Sequence, residues 1–236
     1  SPETEDTMNK LLLGTRKGLF VYDRTGAGWE LERHEFEGIP VPYAMHDPRN
    51  EVLWASLDHG HWGVKLSRSA DAGENWDEVE APKYPKGAQI EEGVPATTRL
   101  IWCLEPGGTD QPGRLYAGTE PGGLFVSDDG GDSFELVDGL WEHPSREAGQ
   151  WFGGGRDNAA IHSVVVDPRD SSRVQVGISC AGVFETIDGG DSWRPRNKGL
   201  PAHFLPSPDI EGGHDPHILV ACPSPPEQPC HKNHCV

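Results

Sequence analysis

The chain has 236 residues, among them 30 Gly and 21 Pro, and carries a formal charge of −18. That charge argues against nucleic acid or an anionic membrane as partner, and no apolar run approaches the length of a membrane span. The length suffices for a single domain with a buried core.

Residues 1–8 read as a disordered acidic leader. Beyond them, short apolar runs alternate with Gly- and Pro-rich turns, and helical periodicity is hard to find, which predicts an all-β chain of many short strands. Leu11–Leu13, Leu19–Val21 and Trp29–Leu31 give a first unit of three strands. A second unit starts near Tyr43–Met45, is stopped by Asp47-Pro48, and continues with Val52–Ala55, Val64–Leu66 and Asp77–Val79. The third runs through Arg99–Leu104, stopped at Glu105-Pro106, then Leu115–Gly118, Leu124–Val126 and Glu135–Val137. Ile161–Val166, stopped at Asp167-Pro168, opens the fourth, followed by Val174–Gly177, Val183-Phe184 and Arg194–Arg196. His217–Val220 would open a fifth.

Between the third and fourth strands of three units the same eight residues return: Ser69 to Trp76, Ser127 to Phe134 and Thr186 to Trp193. The copies lie about 58 residues apart, the mark of a repeat architecture. All fit Ser/Thr-x-Asp-x-Gly-x-Ser/Thr/Asn-aromatic: Ser69, Asp71, Gly73 and Trp76; Ser127, Asp129, Gly131 and Phe134; Thr186, Asp188, Gly190 and Trp193. An eroded copy ends at Trp29. Hydroxyl and carboxylate side chains accept hydrogen bonds from the N–H groups of a tight turn, Gly permits positive φ, and the aromatic anchors the turn.

This pattern resembles the Asp-box, or bacterial neuraminidase repeat, of sialidase-like β-propellers. Further runs, among them Leu13 to Phe20, Tyr116 to Phe125 and Gly139 to Pro144, are similar to a bacterial group labelled glycosyl hydrolase or exo-α-sialidase-like, distantly similar to a photosystem II assembly factor. The resemblance implies a β-propeller of four-stranded antiparallel blades at about 9–37, 42–80, 98–138 and 160–197, with a partial blade at 216–236. Residues 9–236 then form one propeller domain, cut short at the C-terminus, with about four blades of a six- or seven-bladed ring. In that family the box is a folding device without a catalytic group.

Blade connectivity puts the boxes on one rim, and the crossovers between blades on the other, where a ligand is expected. The crossover 138–160 holds Trp141, Glu142, His143, Arg146, Trp151, the run Gly153 to Gly155, Arg156 and Asp157. Glu142 and Asp157 read either as a glycosidase carboxylate pair or as solvated loop residues. The two Trp either stack on a sugar or brace the loop. His162 and His217 occupy matching registers at the start of inner strands and, with His143 and His234, suggest an acid/base or metal cluster at the channel mouth; capping of the inner strands is the alternative. Arg16, Arg99 and Arg156 are candidate partners for a substrate carboxylate. The Phe/Tyr-Arg-Ile-Pro motif of sialidases is missing, Phe36 to Pro40 lacking the Arg, and none of the four Tyr adjoins a Glu. The five Cys, unpaired in spacing, favour reduced thiols and a cytoplasmic home. The expected role is a scaffold binding a glycan, small molecule or protein; glycoside hydrolysis and a metal-dependent reaction are the alternatives. No cofactor is expected, and the metal remains open.

Overall fold

The computed structural model describes residues 9–200, 202, 203, 205 and 210–221. The leader, His234, and Cys222, Cys230 and Cys235 lie outside the described residues. Among the described residues, four antiparallel sheets of three or four strands follow one another along the chain, each with its strands in sequence order. The first contains β1 (Lys10–Thr15), β2 (Gly18–Thr25) and β3 (Gly28–Glu35). The second contains β4 (Tyr43–Asp47), β5 (Val52–Asp58), β6 (Val64–Ser69) and β7 (Asp77–Val79). A detached hairpin, β8 (Gln89–Glu91) and β9 (Val94–Pro95), precedes the third sheet of β10 (Leu100–Pro106), β11 (Leu115–Glu120), β12 (Leu124–Ser127) and β13 (Glu135–Leu136). The fourth contains β14 (Ala160–Asp167), β15 (Asp170–Ser179), β16 (Gly182–Thr186) and β17 (Arg194–Pro195). Successive first strands β4, β10 and β14 touch, so the sheets are the blades of a β-propeller.

The core lies between blades, because each inner sheet buries both faces. Leu19, Val21, Ala55 and Leu57 fill the first interface. Met45, Trp54, Ile101, Leu104 and Phe125 fill the second, and Cys103, Tyr116, Ile161, Val176 and Phe184 the third. A register shift between Ile101 and Cys103 helps β10 serve both of its interfaces. One repeat aromatic packs against each interface: Trp76 on the first, Phe134 on the second and Trp193 on the third. Trp193 is buried, whereas Trp76 and Phe134 are only half-buried.

The three repeated turns share one hydrogen-bond pattern. The Oγ of Ser69, Ser127 or Thr186 donates to the following Asp at 2.6–2.8 Å and accepts the N–H of Gly73, Gly131 or Gly190 at 2.8–3.0 Å. The carboxylates of Asp71, Asp129 and Asp188 accept the backbone N–H of Asn75, Ser133 and Ser192 at 2.8–3.0 Å, and those residues' side chains as well. These bonds hold each Asp well below the ordinary carboxylate range, with Asp71 at about 2. Glycine is required at Gly131, whose φ is +88° and where an added Cβ would stand 2.3 Å from the Trp54 ring.

Two features depart from the sequence reading. Within the crossover 138–160 the chain forms two single helical turns, α1 (Asp138–Trp141) and α2 (Pro144–Glu147). Residues 215–221, where a fifth inner strand is expected, carry no strand; Ala181 and His214 form a lone bridge, and Leu219 packs against Gly177.

Candidate functional site

A cleft of about 940 Å3 opens between the 89–99 crossover and the 141–159 crossover, with Pro121 and Gly122 of the β11–β12 turn at its base. β12 starts beside this cleft and ends at Ser127 in a repeated turn, so cleft and turns occupy opposite rims. The volume lies within the range of small-ligand sites.

One wall is built by α1 and α2. Pro144 opens α2, and His143 caps it: with Nδ1 as acceptor, its ring receives the Ser145 N–H at 3.2 Å and the Ser145 hydroxyl at 2.8 Å. The Ser145 Oγ in turn accepts Trp151 Nε1–H at 2.9 Å, fixing the indole at the cleft wall against Phe184. Burial holds the His143 pKa below its ordinary value, against the opposing influence of the Trp193 backbone and the Glu211 carboxylate. The ring is therefore neutral at pH 7, as its acceptor role requires. Trp141 is buried, with its ring 4.9 Å from Tyr84 and the Arg146 guanidinium 3.6 Å above it. It braces the wall, while the exposed Phe152 presents an apolar face.

The charged lining is mixed: Glu91, Glu92, Glu147 and Asp157 face Arg99 and Arg146. Arg99 pairs with Asp157 at 3.1 Å, and Arg146 donates to three backbone carbonyls, of Trp141, Gln89 and Ile90. Both arginines are thus engaged.

Of the residues singled out from sequence, Arg99, Trp141, Arg146, Trp151 and Asp157 line this cleft, and His143 supports it from behind. Glu142 is exposed at the end of α1 and is not a lining residue. Arg156 pairs with the buried Glu120 carboxylate and lies 5.3 Å from the Trp102 ring centroid. Arg16 is exposed in the β1–β2 turn, in another blade. His162 is half-buried with Nδ1 2.8 Å from Ser163 Oγ and a buried Nε2 that finds no hydrogen-bond partner among the described residues. Burial lowers its pKa against the Pro216 backbone and Asp215, and the nearby His217 lowers it further. His162 and His217 are therefore neighbours beside the 214–219 segment, and neither lines the cleft.

Sequence reasoning passed over Phe152, Glu147 and the hairpin residues Glu91 and Glu92. The available signal for Phe152 was an apolar aromatic beside the run Gly153 to Gly155 in a long crossover. The hairpin shows only a weak one, Gly93 as a turn residue between residues 89–92 and 94–95.

No family model matches the chain. Among curated proteins, the oligoxyloglucan-reducing end-specific xyloglucanase of Emericella nidulans is 33% identical over 126 residues, which is 53% of this chain and 13% of that protein. Among solved structures, the GH74 xyloglucanase from Xanthomonas campestris is similar with a TM-score of 0.56 at 20% identity, covering 82% of this chain and 29% of that one. YCF48 from Cyanidioschyzon merolae gives a TM-score of 0.46 at 18% identity, covering 78% of this chain and 51% of its own. The chain thus spans less than a third of the length of the xyloglucanases it matches, and the structural likeness is one of fold: a β-propeller similar to those of glycoside hydrolases.

Proposed function

We propose that this chain is part of an Asp-box type, glycoside hydrolase-like β-propeller whose cleft binds a neutral oligosaccharide of the xyloglucan class. The carrying observation is the cleft itself, which combines an exposed Phe152, an oriented Trp151 and several carboxylates, with both arginines engaged. Aromatic faces suit the apolar face of a pyranose, and carboxylates accept its hydroxyl hydrogens. The named activity of the curated relative supports xyloglucan as the glycan. An anionic, sialylated glycan suits the site less, because it would have to displace Asp157 from Arg99 and meet Glu91, Glu92 and Glu147.

Calorimetric titration with a xyloglucan oligosaccharide, cellotetraose and sialyllactose tests this. Binding is expected for the first, weakened about tenfold by Phe152→Ala with an unchanged melting temperature. Preference for sialyllactose, or indifference to Phe152→Ala, would overturn the assignment. Hydrolysis is a second reading, favoured by the presence of Glu147 and Asp157 on one cleft. Release of reducing ends that disappears in Asp157→Asn would carry it.

A further inference from the structure

The β8–β9 hairpin belongs to no blade; its two strands pair only with each other. Its internal order rests on Ala96 N–H to the Ala88 carbonyl at 2.9 Å and Gly93 N–H to Gln89 Oε1 at 3.2 Å. Among the described residues, the only hydrogen bonds from 89–97 to the chain beyond the 85–98 crossover come from Arg146, which donates to the carbonyls of Ile90 at 3.1 Å and Gln89. The guanidinium is itself fixed, lying on the Trp141 ring and donating to the Trp141 carbonyl at 3.2 Å. Trp141 in turn is buried against Tyr84, whose hydroxyl donates to the Pro121 carbonyl at 2.7 Å at the base of the cleft.

We propose that Arg146 is a positioning residue, which latches the hairpin as a wall of the cleft and so presents Glu91 and Glu92 to a bound oligosaccharide. The proposal rests on the glycan-binding reading for its ligand, although the latch itself is a property of the free protein. A planar guanidinium can stack on an indole and donate to three carbonyls together, a geometry that an ammonium cannot reproduce. Without those bonds the hairpin keeps only its own short ladder, and a lone two-stranded hairpin is marginal in water.

Hydrogen exchange of the free protein gives the first test. In Arg146→Ala, exchange across 88–96 should accelerate by at least about tenfold, while the inner strands β10 and β14 keep their wild-type protection. Arg146→Lys should recover little of the protection, and carries the same measurement should the alanine variant fold poorly. Unchanged exchange at 88–96 in both variants, or acceleration spread equally over the blades, would overturn the latch. A double-mutant cycle on xyloglucan oligosaccharide affinity gives the second test. The Glu91→Gln/Glu92→Gln pair should weaken binding about fivefold with Arg146 in place, and less than about twofold in the Arg146→Ala background. Additive losses would reduce Arg146 to a structural role. Absence of any oligosaccharide binding by the wild-type protein would sink the glycan reading and leave the exchange result to decide the latch alone.

Discussion

Replacing Glu105 by glutamine should stabilise the protein at alkaline pH and change nothing in acid. Glu105 stands near the end of β10, and burial pushes its carboxyl up to about 7, with the Arg49 guanidinium opposing and the Asp47 carboxylate adding to the rise. In the unfolded chain the same group titrates near 4.5. The folded state therefore holds a proton that the unfolded state has released between those two values, so stability falls as pH rises through that window. Each pH unit of the window is worth about 1.4 kcal/mol, so full ionisation costs about 3 kcal/mol. Glutamine keeps the shape and removes the charge. Urea midpoints of both proteins at pH 4, 6 and 8 should coincide at the first and separate progressively, with the variant ahead by up to about 3 kcal/mol at the last. A separation independent of pH, or a variant less stable at pH 8, would mean that Arg49 holds Glu105 ionised and that burial is not the dominant influence.

Ser127→Ala removes the buried acceptor of the Gly131 N–H and should cost about 1–3 kcal/mol in a urea titration, with oligosaccharide affinity unchanged. His143 gives the opposite pH sign to Glu105: its folded pKa lies below its ordinary 6.5, so the stability it contributes is complete above that value and is lost as pH falls below it. Protonation also removes the Nδ1 acceptor of Ser145, so Trp151 fluorescence should shift as pH falls below the ordinary histidine range, and should stop doing so in His143→Gln.

The blades were legible because their signal is local. Alternating apolar residues, the Asp-Pro stops and the repeated turn each act within a few residues, and the structure follows them strand by strand through the blades, β4 to β7 and β10 to β17. Asp47 and Asp167 each accept the N–H of the residue two ahead, at 3.0 and 2.9 Å, a closure that Asp-Pro-Arg spells directly. The division of labour inside the turn was less visible. The Ser or Thr hydroxyl satisfies the buried glycine N–H, while the carboxylate serves an exposed one, and burial decides which is which. The helical turns α1 and α2 are four residues each, too short to show a period. The cleft was legible only as a rim, since its lining comes from two crossovers brought together by the Arg146 carbonyl contacts, and no sequence pattern encodes which carbonyls a guanidinium will meet.

The two rims differ in how neighbouring blades are tied, and that difference favours a ligand on the cleft side. On the turn side Arg49 donates to the carbonyls of Gly107, Gln111 and Arg114 at 2.9–3.1 Å, clasping blade two to blade three. Arg68 donates to the Gly130 carbonyl at 3.0 Å and pairs with Asp132, and Ser171 Oγ donates to Asp110 at 2.8 Å. The Arg49 and Arg68 bonds engage backbone carbonyls of turns in the next blade, so a changed residue there disturbs the packing of two blades at once. Across the cleft the ties include the exposed pair of Arg99 with Asp157, the pair of Arg156 with the buried Glu120, and Arg146 on the carbonyls of Gln89 and Ile90. The exposed Arg99–Asp157 pair contributes little to stability, which leaves the exposed positions of the crossovers free to carry groups chosen for a ligand. Rigidity on one rim thus holds the blades in register, and the site on the other rim inherits that register without having to supply it.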